Sequence, residues 1–303
     1  MNDLNALVIG AGMIGRHHIS SLISSGFEVD VVDPINPKII DSDWHKKLND
    51  ILVTKNKIFI ISTTAKDHFD IVKRIVVSKK NKVIIVEKPL FCNKSDYLKF
   101  DRDLSKLSHR IFCNLPFFYN EKLKELKYLG NMKKYSAYGV NWGLACNILH
   151  DISIIDAITN EDDLKILNIV TEILNLKESK RAGYYEVYGK VNFLLNNIEV
   201  DLSCNLGNSY QKIVDIQFDK GSVRIDFSAE KIQIKSLLEE TKNEAFAIPR
   251  ASETTGKIAK LLLSGAEVLP RVDRYTDISM KVYSSIVAES SIPDTNSLDF
   301  PFS

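Results

Sequence analysis

Residues 7–18 read LVIGAGMIGRHH: an apolar run that ends in Gly10-x-Gly12-x-x-Gly15 and then turns helical. Glycines at this spacing, between a strand and a helix, form a device for holding a pyrophosphate. Gly10 permits the tight turn, Gly12 lets the main chain approach the phosphates without a Cβ in the way, and Gly15 lets helix and strand pack closely. The helix N-terminus then offers unpaired N–H groups and a partial positive charge to the anion. The flanking sequence fits. Leu4–Ile9 is a short apolar run, and Ile14, Ile19 and Leu22 recur at helical spacing before Ser24-Ser25-Gly26 ends the helix. A second apolar strand, Phe27–Val32, closes on Asp33, roughly 20 residues past the glycines, where a dinucleotide site wants a carboxylate for ribose hydroxyls. That carboxylate would repel a 2′-phosphate and no Arg follows at once, so NAD is expected over NADP. Asp33 also reads as a plain turn residue before Pro34.

A chain of 303 residues can bury a full core and is expected to form two domains. Its 40 basic and 39 acidic side chains nearly cancel and show no basic stripe, which argues against a nucleic-acid partner. The excess of Lys over Arg reads as genome composition. Cys92, Cys113, Cys146 and Cys204 form no CxxC pair and read as reduced, mostly buried thiols of a cytoplasmic protein. No apolar run is long enough to span a bilayer, and the first strand starts too early to leave room for a signal peptide. No metal site is expected: His17 and His18 are adjacent rather than on one helical face, and no Cys/His cluster has ligand spacing.

The first third alternates strand and helix. After the two strands above come Lys57–Ser62, an amphipathic helix over Asp67–Ser78, Lys82–Val86, a helix over Asn93–Leu107 and a fifth strand at Arg110–Cys113. This alternation predicts a doubly wound parallel sheet, a Rossmann domain over residues 1–115, with ligands at the carboxyl ends of the strands. Beyond residue 116 a polar helix, Asn120–Tyr128, leads into seven strand-like segments with little helix between them. They run from Tyr135–Trp142 to Ile232–Leu237, and Val223-x-Ile225-x-Phe227 shows the period of two. This pattern predicts an α+β domain over residues 116–303, built on a mostly antiparallel open sheet. Helices near Gly256–Leu263 and Tyr275–Ser290 are expected to pack back on the core, and the tail Ser291–Ser303 reads as irregular.

Three more motifs carry chemistry. In Ser62-Thr63-Thr64-Ala65-Lys66-Asp67-His68, hydroxyls at a strand end can touch a cofactor; Thr64 also reads as a helix cap alone, and His68 as an ordinary helix histidine. In Glu87-Lys88-Pro89, a lysine follows an apolar strand at the rim of the cofactor crevice. It can stabilise negative charge developing on a substrate oxygen, or pair with Glu87 at the surface. In Trp142–Asp151, Asn147 and His150 share a helix face. An imidazole is a natural proton acceptor near neutral pH, while a His beside an Asp also reads as a satisfied structural pair. Phe117, Tyr119, Trp142, Tyr210 and Arg250 could line a sugar site, or be core or surface.

Together, Gly10-x-Gly12-x-Ile14-Gly15-x-x-His18, Thr63…His68, Glu87-Lys88-Pro89 and Asn147…His150 resemble the Gfo/Idh/MocA family, the glucose–fructose oxidoreductase and inositol dehydrogenase group. The resemblance implies an NAD(P)-dependent oxidoreductase acting on the CH–OH group of a sugar, nucleotide-linked sugar or cyclitol. It implies catalytic roles for Lys88, His150 and Asn147. The cofactor set is Gly10, Gly12, Met13, Ile14, Gly15, Asp33, Thr63, Thr64, His68, Glu87 and Lys88. The substrate set is Lys88, Asn114, Phe117, Trp142, Asn147 and His150. By analogy it also implies a homo-oligomer, a dimer or tetramer, formed through an open sheet face. The sequence departs from the family in three places. Thr64 stands where Pro is usual, Cys146 and Asn147 precede His150 where an Asp is usual, and Ser153 follows it in place of an acid. A neutral amide cannot raise the basicity of an imidazole as a carboxylate can. Two rival activities stay open: transient oxidation by bound NAD within a hydrolysis or epimerisation, and an NAD-dependent sensor without turnover.

Overall fold

Strand β1 (Asn5–Ile9) is buried throughout, as expected of a strand covered on both faces. It is followed by α1 (Met13–Ser24), β2 (Glu28–Val32), β3 (Ser42–His45), β4 (Ile58–Ile61), α2 (Ala65–Ser78), β5 (Val83–Val86), α3 (Lys94–Lys99) and β6 (Arg110–Cys113). The computed structural model describes residues 4–39, 41–48, 56–78, 82–105, 110–179, 184–290, 300 and 302. All six strands run parallel in the order β3-β2-β1-β4-β5-β6. The order reverses between β1 and β4, which opens the crevice where α/β sheets bind ligands. Strand β3 was not expected. Its sequence, Ser42-Asp43-Trp44-His45, has no apolar pattern, and it forms at the sheet edge by hydrogen-bonding to β2 alone. The helix expected over Asn93–Leu107 is α3 followed by a wider π-type turn at Phe100–Leu104; residues 106 and 107 lie outside the described residues.

The second unit contains α4 (Glu121–Glu125), β7 (Met132–Val140), α5 (Leu144–Thr159), β8 (Ile166–Glu178), β9 (Tyr185–Leu195), β10 (Ile198–Asn205), β11 (Gln211–Phe218), β12 (Gly221–Asp226), β13 (Lys231–Ser236) and β14 (Lys242–Ala245). The eight strands lie in the order β14-β13-β12-β11-β7-β10-β9-β8. All described pairings are antiparallel except that of β7 with β10. Helix α5 packs against β7, β10 and β9 and buries most of its length. Strand β14 was missed because Lys-Asn-Glu-Ala is polar and wholly exposed.

The chain divides as Met1–Pro116 with Pro249–Thr276, and Phe117–Ile248 with Asp277–Ser303. This corrects the expected single break at residue 115. Helix α6 (Ala251–Leu263) belongs to the first unit because it packs on α1 through Gly256. A Cβ there would lie 2.0 Å from Ser25 Oγ and 2.5 Å from the Ser21 carbonyl oxygen. Helix α7 (Val272–Glu289) follows. Of the tail expected to be irregular, only Phe300 and Phe302 are described; both rings lie 5.6 Å from that of Tyr283. Among the described residues no helix is long and apolar enough to cross a membrane, no group of three His, Cys, Asp or Glu could hold a metal, and no disulfide joins any of the four cysteines.

Candidate functional site

In the first unit the motif residues fall at the carboxyl ends of five strands: Gly10 after β1, Asp33 after β2, Thr63 after β4, Glu87 after β5 and Asn114 after β6. The three glycines are required for different reasons. At Gly10, where φ is +92°, a Cβ would lie 2.8 Å from the Thr63 nitrogen; at Gly15 it would lie 1.9 Å from the Gly10 oxygen. At Gly12 a Cβ would meet nothing within 4 Å, so the main chain there is bare towards open space. Gly12 is also the N-cap of α1, which has no side-chain cap and no acid in its first turn. Its leading N–H groups are therefore available to an anion. Beside them Met13 and Ile14 are 75% and 37% exposed, apolar ground for a ligand to cover.

Asp33, the acid expected to meet ribose hydroxyls, is a turn residue in the structure. Its two carboxylate oxygens accept the N–H groups of Ala11 (2.8 Å) and Ile35 (2.9 Å), which ties the glycine loop to the end of β2. A carboxylate has about four acceptor positions, so it keeps capacity for hydroxyl donors. The indole N–H of Trp44, on β3, donates to the Asp33 carbonyl at 3.0 Å and leaves its ring partly exposed beside it. Trp44 was missed with its strand.

Thr63 abuts Gly10, while the Thr64 hydroxyl donates to Asp67 at 2.7 Å, within the first turn of α2. His68 is buried, its Nδ1 2.9 Å from the Leu90 carbonyl and its Nε2 3.2 Å from that of Thr63. The side chain thus acts on the strand-end crevice by pinning Thr63 and Leu90. Burial, partly opposed by those two carbonyls, holds the His68 pKa below the ordinary 6.5. The unfolded chain therefore binds more protons below pH 6.5, and the stability present above that value is lost as pH falls through the folded value. Calorimetric Tm should fall between about pH 7.5 and about pH 5.5 more steeply in wild type than in His68→Asn. Equal slopes would contradict this.

Glu87 anchors the lysine motif. Its Oε1 lies 2.7 Å from His18 Nε2 and accepts the Asn114 amide, and His18 Nδ1 lies 2.8 Å from Thr255 Oγ1 on α6. Burial pushes the Glu87 carboxyl up, but bonds and charge from His18, the Asn114 amide and the Lys88 charge outweigh it and hold it below the ordinary range. Asn114, expected at the substrate, is thus engaged with Glu87. Lys88 itself is half-buried, and its bond to Pro89 is cis. His18 was read as part of the glycine motif and, with His17, as no metal ligand, and Thr255 was not singled out; a contact spanning 237 residues leaves no local signal.

In the second unit His150 lies on α5, its ring edge-on to Phe117 with centroids 5.7 Å apart. Phe117 also meets Phe227 (5.7 Å) and stacks on Phe246 (6.4 Å). Trp142 is a core residue rather than a substrate wall: it is buried, donates to the Ser203 carbonyl at 2.8 Å and holds the Lys212 ammonium 4.4 Å over its ring. The Asn147 amide donates to the Trp142 carbonyl. A Cβ on Gly143 would lie 3.1 Å from Asn147 Nδ2, 3.1 Å from Cys146 Sγ and 3.4 Å from Glu186 Oε2. Glu186, on β9, thus brings to the first turn of α5 a carboxylate that the helix's own sequence lacks there. The Tyr119 ring lies 5.7 Å from Lys124 Nζ, Tyr210 is exposed, and Arg250 is the exposed N-cap of α6.

No family model and no curated protein matches the chain. Solved structures do. The chain is similar to UDP-N-acetylglucosamine 3-dehydrogenase GnnA of Acidithiobacillus ferrooxidans, 13% identical with a TM-score of 0.74 over 95% of this chain and 99% of that one. It is similar to an oxidoreductase from Agrobacterium radiobacter solved with NAD+, L-tartaric acid and magnesium, at 15% identity and a TM-score of 0.72 over 96% and 97%. A super-repressor mutant of Gal80p from Saccharomyces cerevisiae shares the fold at 15% identity and a TM-score of 0.70 over 95% and 96%.

Proposed function

We propose that the chain is an oxidoreductase of the Gfo/Idh/MocA type that moves a hydride between NAD and a hydroxyl or keto carbon of a sugar, a nucleotide-linked sugar or a cyclitol. The bare main chain at Gly12, leading an uncapped helix, carries this reading. Like folds are found in a nucleotide-sugar dehydrogenase and in an oxidoreductase crystallised with NAD+. A bound dinucleotide supplies the hydride acceptor. Gly10 to Gly15 hold its pyrophosphate, Asp33 accepts from its ribose and disfavours a 2′-phosphate, and Trp44 offers a ring face to the adenine. His150 takes the substrate hydroxyl proton, in a phenylalanine-lined surround that strengthens local electrostatics. Lys88, at the end of β5 in the first unit, supplies a cation that can stabilise charge developing on a substrate oxygen. Self-association fits the exposed Leu167, Val170 and Leu174 on the edge strand β8.

The two tryptophans give a direct test, because Trp142 is buried and Trp44 stands beside Asp33. NADH should quench tryptophan emission saturably and gain sensitised emission, and Trp44→Phe should lower the quenching. Absence of saturable binding to wild type would overturn the reading. Turnover is then sought with free sugars, nucleotide-linked sugars and inositols. A second reading, an NAD-binding regulator, draws on Cys146 and Asn147 preceding His150 and on the likeness to Gal80p. Tight binding with no turnover across the panel would favour it. Product without net change in nicotinamide absorbance would indicate transient oxidation.

A further inference from the structure

Asp151 and Lys212 form an ion pair sealed inside the second unit. Asp151 is 0% and Lys212 5% exposed, with Nζ 2.7 Å from Oδ1. The Tyr135 hydroxyl donates to the same Oδ1 at 2.7 Å, and burial, then the Asp151 carboxylate, push its pKa well up, so it stays a donor. The ammonium lies over Trp142 and over Phe227, 4.4 and 5.1 Å from the ring centroids. Oδ2 of Asp151 is buried with no hydrogen-bond partner among the described residues.

Stability is a poor explanation for this arrangement. Desolvating two charges offsets much of their attraction, apolar replacement of such pairs is often neutral or stabilising, and an orphaned buried oxygen adds a penalty. Direction is a better one. Asp151 follows His150 on α5, so their side chains leave the helix about 100° apart. Both donors to Asp151 come from the sheet, Tyr135 from β7 and Lys212 from β11, and these strands are neighbours with Lys212 opposite Gly139. A Cβ on Gly139 would lie 2.0 Å from the Gln211 oxygen, so its absence lets the two strands close just where Lys212 stands. Three elements therefore meet at one carboxylate oxygen. Phe227 carries Lys212 on one side and meets Phe117, which faces His150.

We infer that Asp151 and Lys212 are positioning residues: their buried bond fixes the rotation of α5 about its axis and so the direction of His150. This rests on His150 being the proton acceptor of the proposed reaction. A misplacement of about 1 Å in a reacting group can lower the rate about 100-fold. The test is the double variant Lys212→Met with Asp151→Leu, which removes both charges together. Its Tm should match or exceed wild type and its NADH Kd should not change, while kcat falls about 10- to 100-fold. Asp151→Asn, which keeps an oxygen for both donors, should retain most of the activity. The ring signal of His150 in protein labelled with 13C-histidine, assigned through His150→Gln, should shift or split in the double variant. If the double variant does not fold, Tyr135→Phe takes its place: it leaves the ion pair and removes one donor to Asp151 Oδ1, so Tm should fall and kcat and the His150 signal should change in the same sense but by less. In an active enzyme an unchanged kcat overturns the inference. If wild type turns over no substrate, the functional reading fails separately; the His150 signal then decides, and an unmoved signal overturns the clamp.

Discussion

Gly12→Val should leave the fold standing and remove dinucleotide binding. The residue has φ −64° and ψ −168°, an extended conformation open to any side chain, and its Cβ would meet nothing within 4 Å. The folded state therefore loses only a somewhat better helix cap, worth about 1 kcal/mol or less. The new side chain instead fills the space through which the pyrophosphate must reach the N–H groups of α1. A rise of at least about 100-fold in NADH Kd is expected, about 2.7 kcal/mol, read by energy transfer from tryptophan, with Tm within a few degrees of wild type. Gly15→Ala should behave in the opposite way. Its Cβ would sit 1.9 Å from the Gly10 oxygen, so folding itself should suffer. If Gly12→Val bound NADH as wild type does, the glycine loop would be a structural turn and the functional reading would fall with it.

Lys88→Ala should abolish turnover while sparing the cofactor. Loss of a positioned donor or proton-transfer group lowers kcat by about 10²- to 10⁴-fold, whereas NADH Kd should stay within about threefold of wild type. Its neighbour Glu87 stays tied to His18 and Asn114 in the variant. Steady-state kinetics alongside the binding titration separate the outcomes. A Kd that rises in step with the fall in kcat would assign Lys88 to the cofactor or the fold instead of to the reacting oxygen.

What could be read along the chain is what depends on local geometry. Gly10, Gly12 and Gly15 announce their turn because all three stand together at one strand–helix junction, whichever neighbour each must clear. The buried strands β1, β4 and β5 announce themselves as unbroken apolar runs. The strand-end positions of Asp33, Thr63 and Glu87 follow from those two facts. Strands β3 and β14 could not be read, since polar residues at a sheet edge become strands only when a neighbour offers its hydrogen bonds. Gly256, within α6, suggested no partner, yet its missing side chain is what lets α6 close on α1 and join the first unit. The same limit applies around His150. The sequence by itself put an imidazole and a carboxylate side by side, and left open whether they satisfied each other. Only the tertiary structure decided that Asp151 turns to Lys212 and Tyr135, because strand register, not proximity in sequence, determines which charges meet in the core.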